Sequence, residues 1–310
     1  MPELPEVHTT ATGLQKVLPR LIIKDIWTDM WSTSTLAKNT IKDRKYFPYF
    51  KKHTLGARIK NVERRAKYIL INLENDFTII IHMKMTGHLM YGKYILNKQS
   101  NGKEWSWLPI PKNSPLSDKY NRHIHVVLTL SNTKKNYSNL VFCDSRKFGS
   151  MSVMKTSLIH TDKLSHIGPE PLEKTFTENN FKERILLSTK RAIKTVLMDQ
   201  KIIAGIGNIY SDEMLHLSHI LPTRQPQSLN KKEISLLFRS MKKVLEKGID
   251  FGGDSMSDYR NVKGERGAFQ EKHLVYLRAK EKCKTKGCAG IIKKLKIGGR
   301  SAHFCPICQL

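Results

Sequence analysis

The chain has 310 residues, 39% hydrophobic and 8% aromatic, which is long enough for two domains with a core each. Its 54 Lys+Arg against 27 Asp+Glu leave a formal charge of +27, an excess that points to a polyanion, most commonly nucleic acid. No basic region followed by an apolar run opens the chain, and its most apolar stretch, residues 77–83, is only strand-sized. Neither a secretory signal nor a membrane span is expected, and the chain reads as a soluble intracellular protein.

The chain opens MPELPEV, where Pro2, Glu3, Pro5 and Glu6 make a poor start for either a helix or a strand. Further along, residues 68–72 and 78–82 read as β-strands around the polar break Glu74–Asp76. Residues 91–121 collect Asn, Ser, Lys and Pro without a period and are expected to form a long, enlarged loop. Strand character returns at 123–130 and 139–144, so the N-terminal half is mostly β, in two layers or a sandwich. Gly168, Pro169 and Pro171 mark a linker. Beyond it, helical spacing of Ile185, Leu186, Ile193, Val196 and Leu197 predicts a helix within 179–200. Gly205 and Gly207 break the pattern, a new helix starts near Asn208, and another spans 231–249.

Four of the five cysteines lie in the last 28 residues, spaced Cys283-x4-Cys288-x16-Cys305-x2-Cys308. Two short cysteine loops around a hairpin-length segment suit one tetrahedral Zn²⁺ with four thiolates, a structural ion with no position open for water. The intervening residues 291–304 predict a β-hairpin turning at Gly298–Gly299. Lys293, Lys294, Lys296 and Arg300 give it a basic tip able to meet phosphates. The lone Cys143 reads as a buried strand residue.

Six segments then occur in order: MPELPEV, RRAKY (64–68), HMKMTGHL (82–89), DSRKFG (144–149), MDQKIIAGIGNIYSDE (198–213) and GRSAHFCPICQ (299–309). Together they resemble the formamidopyrimidine-DNA glycosylase family, which includes the endonuclease VIII enzymes. PELPE and the segment GGDSMSDYRNVKGERGAFQ (252–270) resemble the formamidopyrimidine branch. The resemblance implies an α+β fold: a two-layer β-sandwich with flanking helices, then a helical domain with a helix–two-turn–helix and a β-hairpin zinc finger. The corresponding boundaries are 1–155 for the catalytic β-sandwich, 156–177 for the linker, 178–275 for the helical domain and 276–310 for the zinc finger.

It also implies roles. Removal of Met1 would make Pro2 the terminus, whose amine has a reference pKa of about 7.7–8.0 against about 10.4 for lysine. Pro2 would then be the nucleophile, Glu3 the general acid/base and Glu6 a carboxylate orienting the terminus. Lys67, Asn208 and Arg300 match a phosphate clamp. The glycines of GIGN let backbone approach a phosphate, and the helix that follows offers free N–H groups. Met85, Arg146 and Phe148 match residues that fill the duplex when a nucleotide leaves it, while His82, His123 and His125 match phosphate contacts. Glu213 reads as structural. The pattern departs at Lys84, where the family commonly has glycine, and at Ser145 and Lys147 for the commoner Pro and Arg.

The expected activity is that of a monomeric DNA glycosylase/AP lyase of base excision repair, in the cytoplasm or nucleoid if bacterial. It would remove oxidised purines such as 8-oxoguanine and formamidopyrimidines from damaged double-stranded DNA. The competing readings are an endonuclease VIII-like oxidised-pyrimidine glycosylase and a non-catalytic DNA-binding protein.

Overall fold

The computed structural model describes residues 1–98, 105–132, 136–187 and 190–310. The chain divides into two units. The first comprises Met1–Pro2, Glu6–Ser165 and Gly252–Gly267; the second comprises Glu3–Pro5, His166–Phe251 and Ala268–Leu310.

The N-terminal segment is not irregular, as its prolines suggested: helix α1 spans Leu4–Val17. Pro5 falls in the first turn, where a helix has no carbonyl to offer an N–H, so the missing donor is not needed. In the first unit Val7, Ala11 and Leu14 line one face of α1 at helical spacing and are buried. Around them lie β1 (Ile22–Thr28), α2 (Phe47–Thr54), β2 (Ile59–Arg65), β3 (Tyr68–Leu73), β4 (Phe77–His82), β5 (His88–Lys98), β6 (Trp105–Ile110), β7 (Ile124–Ser131), β8 (Tyr137–Cys143) and β9 (Ser150–Lys155).

These strands make two antiparallel sheets, β1-β7-β8-β5-β6 and β2-β3-β4-β9. One core cluster draws on both: Ile23, Val126, Leu128 and Phe142 from the first, Ile69, Ile71, Ile79, Ile81 and Val153 from the second. Each such side chain contributes about 1.5–3 kcal/mol of burial, so the face shared by the sheets fixes strand register.

The loop expected at 91–121 is instead partly sheet. β5 continues to Lys98 and pairs with β6, Lys93 opposite Ile110 and Leu96 opposite Trp107. The period-2 pattern is weak because the successive residues Ile95 and Leu96 are both exposed, at 47% and 40%. Residues 99–104, within the same expected loop, lie outside the described residues. Short turns at Pro115–Ser117 and Lys119–Asn121 follow. Leu116 joins Met90, Tyr94, Val127 and Cys143 in a second cluster, with Trp107 edge-on to Trp27 at 5.9 Å. The described residues of 91–121 thus extend the five-stranded sheet and add to its second apolar cluster.

In the second unit, the helix expected within 179–200 is two: α3 (Glu178–Leu186) and α4 (Ile193–Leu197). They are followed by α5 (Asn208–Leu217), α6 (Lys231–Asp250) and the hairpin β10 (Lys293–Ile297) and β11 (Arg300–Phe304). A capping box opens α6: Asn230 accepts from the Glu233 N–H at 3.0 Å and Glu233 from the Asn230 N–H at 2.7 Å. Its apolar stripe, including Leu237, Met241 and Leu245, packs with Ile209, Tyr210 and Met214 of α5.

Candidate active site and metal centre

In the first unit, Pro2 is buried while Met1 is 39% exposed. Glu6, 1% exposed, accepts from the Asp254 N–H at 2.7 Å through Oε1, and its carbonyl accepts from the Tyr259 hydroxyl at 3.1 Å. Sequence reasoning placed 252–267 with the helical domain, but these residues pack in the first unit, held by Glu6 among others.

Lys67 stands in the two-residue turn between β2 and β3, where Arg65 pairs with Tyr68. It is 5% exposed, unlike an ordinary hairpin-turn lysine, and Ala66 before it has φ +52°. A non-glycine residue in that region is held there only when its surroundings over-determine it, as at many functional sites. His82, at the end of β4, packs edge-on to Tyr68 at 4.7 Å, and its Nδ1 accepts from the Lys84 N–H at 2.9 Å. Burial first, then the charges of Lys84 and Lys67, lower its pKa to about 3. His82 is therefore a neutral ring at physiological pH in the DNA-free chain. His123 is exposed, and His125 Nδ1 lies 2.7 Å from Asp29 Oδ1.

The two segments carrying Met85 and Arg146–Phe148 are brought together by Asp144, a residue sequence reasoning passed over. Its fully buried carboxylate accepts from the Thr86 hydroxyl, from the Gly149 N–H at 2.6 Å and from the Arg146 N–H at 3.3 Å. Its position at the head of DSRKFG, with three residues of turn behind it, was the available signal. Phe148 is 51% exposed, and the Arg146 guanidinium lies over its ring at 4.6 Å. An aromatic presented to solvent with a cation stacked on it is not part of the core. Lys84 has φ +56°, a left-handed conformation that explains why glycine suits this place.

In the second unit, Glu3 is 2% exposed and caps α5: its carboxylate accepts from the Ile209 N–H at 2.9 Å and the Tyr210 N–H at 3.4 Å. A Cβ at Gly207 would stand 2.4 Å from Glu3 Cδ, and one at Gly205 2.7 Å from Leu4 Cβ. The glycines of GIGN therefore make room for the N-terminal segment, and two of the N–H groups expected to be free already serve Glu3. Asn208 remains available in part: its side-chain oxygen is buried without a partner among the described residues.

Three polar residues of α5 fasten the C-terminal module. Asp212 binds Lys194 and accepts from the His303 N–H at 2.9 Å. Glu213 accepts from the N–H groups of Leu274, Val275 and Tyr276 at 2.8, 3.0 and 2.8 Å, a structural role. His216 reaches Gln309 at 3.1 Å. The hairpin turns at Gly298 and Gly299, leaving Lys293, Lys294, Lys296 and Arg300 exposed.

The sulfurs of Cys283, Cys288, Cys305 and Cys308 all lie within 4.8 Å of one another, with Cys283–Cys308 and Cys288–Cys305 both at 3.7 Å. A tetrahedron with Zn–S of about 2.3 Å requires S···S of about 3.8 Å, so the geometry fits zinc. Backbone N–H groups of Thr285 and Gly290 point at the Cys283 and Cys288 sulfurs at 3.4 and 3.3 Å, as negative thiolates require. The four cysteines hold one structural zinc ion.

Three family profiles match along the chain: the formamidopyrimidine-DNA glycosylase N-terminal domain over residues 1–151, the formamidopyrimidine-DNA glycosylase H2TH domain over 167–260, and the zinc finger found in FPG and IleRS over 280–310. The chain is 36% identical over 312 residues, covering 100% of both chains, to a formamidopyrimidine-DNA glycosylase of Desulfitobacterium hafniense. Among solved structures it resembles the Lactococcus lactis Fpg bound to DNA with an abasic site (30% identity, TM-score 0.80, 99% of each chain). The same enzyme bound to Fapy-dG DNA also matches (30% identity, TM-score 0.79, 99% of each chain). The class is that of zinc-finger DNA-repair glycosylases. Within it, the chain belongs to the formamidopyrimidine-DNA glycosylase family.

Proposed function

We propose that the protein excises oxidised purines from double-stranded DNA and cleaves the strand at the abasic site, with Pro2 as nucleophile. The observation that carries this reading is the setting of the N-terminus: Pro2 is buried, and the next residue, Glu3, is a buried carboxylate fixed on the N–H groups of α5. A disordered tail has no such anchoring. The Lactococcus lactis relative bound to Fapy-dG DNA supports the purine branch.

With Met1 removed, the Pro2 amine attacks C1′ of the damaged nucleotide and the C1′–N bond breaks, releasing the base with a proton. Glu3 protonates the ring oxygen, the sugar opens, and the nitrogen becomes an iminium. That electron sink acidifies a C2′ hydrogen. Its loss expels the 3′ phosphate, a second elimination expels the 5′ phosphate, and water returns the free amine. Lys67, Asn208 and Arg300 hold the flanking phosphates. Met85, Arg146 and Phe148 occupy the duplex, Arg146 hydrogen-bonding the orphaned base. His82, His123 and His125 add phosphate contacts, and the +27 charge supplies the attraction to DNA. The zinc holds the basic hairpin in shape.

The test compares excision from duplexes bearing a formamidopyrimidine or 8-oxoguanine opposite cytosine with excision from a thymine glycol duplex. Preference for the purine lesions, lost in Glu3→Gln, is expected. Preference for thymine glycol would overturn the purine assignment, and full activity of Glu3→Gln would overturn the role of Glu3.

A further inference from the structure

Residues 252–267 form no helix or strand, yet they are anchored at several points of the first unit. On one side the Asp254 N–H and the Tyr259 hydroxyl bond Glu6, at 2.7 and 3.1 Å. Ser145 donates to Asp258 at 3.1 Å. On the other side the Tyr91 N–H donates to the Val262 carbonyl at 2.9 Å, and further contacts come from residues 115–121, part of the 91–121 segment to which no role attaches. Arg260, 2% exposed, donates through Nη2 to both Asp118 oxygens at 3.2 and 3.3 Å and lies over the Tyr120 ring at 4.5 Å. Asn121 donates to the Gly264 carbonyl at 3.4 Å and is itself fixed by His88, 2.9 Å from its side-chain oxygen. Gly264 has φ +83°, and a Cβ there would stand 2.7 Å from the Pro115 carbonyl, so the two segments meet backbone to backbone.

We propose that residues 115–121 brace the 252–267 loop, and that Asp118 is a positioning residue for excision, acting through Arg260 on Glu6. This rests on the reading that Glu6 belongs to the chemistry. The contacts form one chain. Asp118 holds the guanidinium, whose Nη1 donates to the carbonyls of Ser257 and Tyr259 at 3.0 and 2.8 Å. Tyr259 in turn donates to the Glu6 carbonyl. A buried guanidinium needs an opposing charge, and a loop without regular structure keeps one conformation only while such anchors outweigh its conformational entropy. Neutralising Asp118 removes the charge that fixes Arg260 and releases the loop at its middle.

The test uses the zinc-loaded full chain and the variants Asp118→Asn, Asp118→Glu and Arg260→Lys. The last keeps the buried charge but cannot bridge Asp118, Ser257 and Tyr259 together. In Asp118→Asn and Arg260→Lys, amides of 254–266 should exchange hydrogen at least about tenfold faster while those of β3 and β4 are unchanged. Excision kcat should fall about tenfold with KM for the duplex unchanged, since no phosphate contact is touched, and Asp118→Glu should recover both values. Unchanged loop exchange, or equal acceleration in β3 and β4, would overturn the brace. Faster loop exchange with unaltered kcat would overturn the positioning role. Exchange is read without DNA, so a chain that excises no purine lesion at all would overturn the proposed function while exchange still decides the brace.

Discussion

Gly207 is a glycine because Glu3 occupies its side-chain space: a Cβ at 207 would lie 2.4 Å from Glu3 Cδ and 2.5 Å from Oε1. The backbone there is extended, so no strain favours glycine, and the requirement is one of room alone. Gly207→Ala should displace the carboxylate from the Ile209 and Tyr210 N–H groups while leaving α6 and the zinc module intact. If Glu3 is the general acid proposed, the single-turnover excision rate should fall at least about 100-fold, with DNA affinity nearly unchanged. A quench-flow measurement on the variant checks this.

Asp144 and Phe148 should separate stability from function. Removing the Asp144 carboxylate in Asp144→Ala strands the buried Gly149 N–H and its other donors, so a loss of about 2–4 kcal/mol in urea unfolding is expected. Phe148→Ala removes a half-exposed ring and should change stability by less than about 0.5 kcal/mol. It should nevertheless slow lesion excision if the ring enters the duplex as proposed.

The sequence made some of this legible and hid the rest for identifiable reasons. The strands at 68–73 and 77–82 declared themselves because their short runs are apolar and rich in isoleucine, most of it buried. Asn208 announced α5 because Gly205 and Gly207 punctuate the chain before it, although their reason for being glycine lies far away in Glu3 and Leu4. The cysteine spacing alone located the hairpin. β5 and β6 stayed hidden because they extend past the core with apolar residues exposed. β1 stayed hidden because a register shift between Ile23 and Asp25 breaks its period of two. Arg260 was invisible because its acidic partner, Asp118, lies in a distant part of the chain, which no local pattern encodes, and Asp144 offered only the turn behind it.

His82 sets a pH dependence. Its pKa of about 3 in the folded chain lies below the unfolded value of about 6.5, so below pH 6.5 the unfolded state takes up a proton that the folded state refuses. Its contribution is fully present above the unfolded pKa and declines as pH falls from about 6.5 towards 3. His82→Gln should flatten that decline, measured as Tm across pH 7 to 4. An identical slope in the variant would show that His82 is not the group responsible.

The zinc module is tested through Gly290, where a Cβ would stand 2.4 Å from the Cys305 sulfur. Gly290→Ala should force the thiolates apart, releasing zinc to a chromogenic chelator at concentrations the unaltered protein withstands. DNA affinity should weaken with it as the hairpin loses its shape. Metal analysis should give one zinc per chain before the challenge.

The most direct test of the central claim is borohydride trapping on a duplex carrying 8-oxoguanine opposite cytosine, followed by mass mapping of the cross-linked peptide. A covalent adduct on Pro2, with Met1 absent from the trapped chain, is expected. An adduct on a lysine, or none on this duplex or on a preformed abasic site, would contradict the claim.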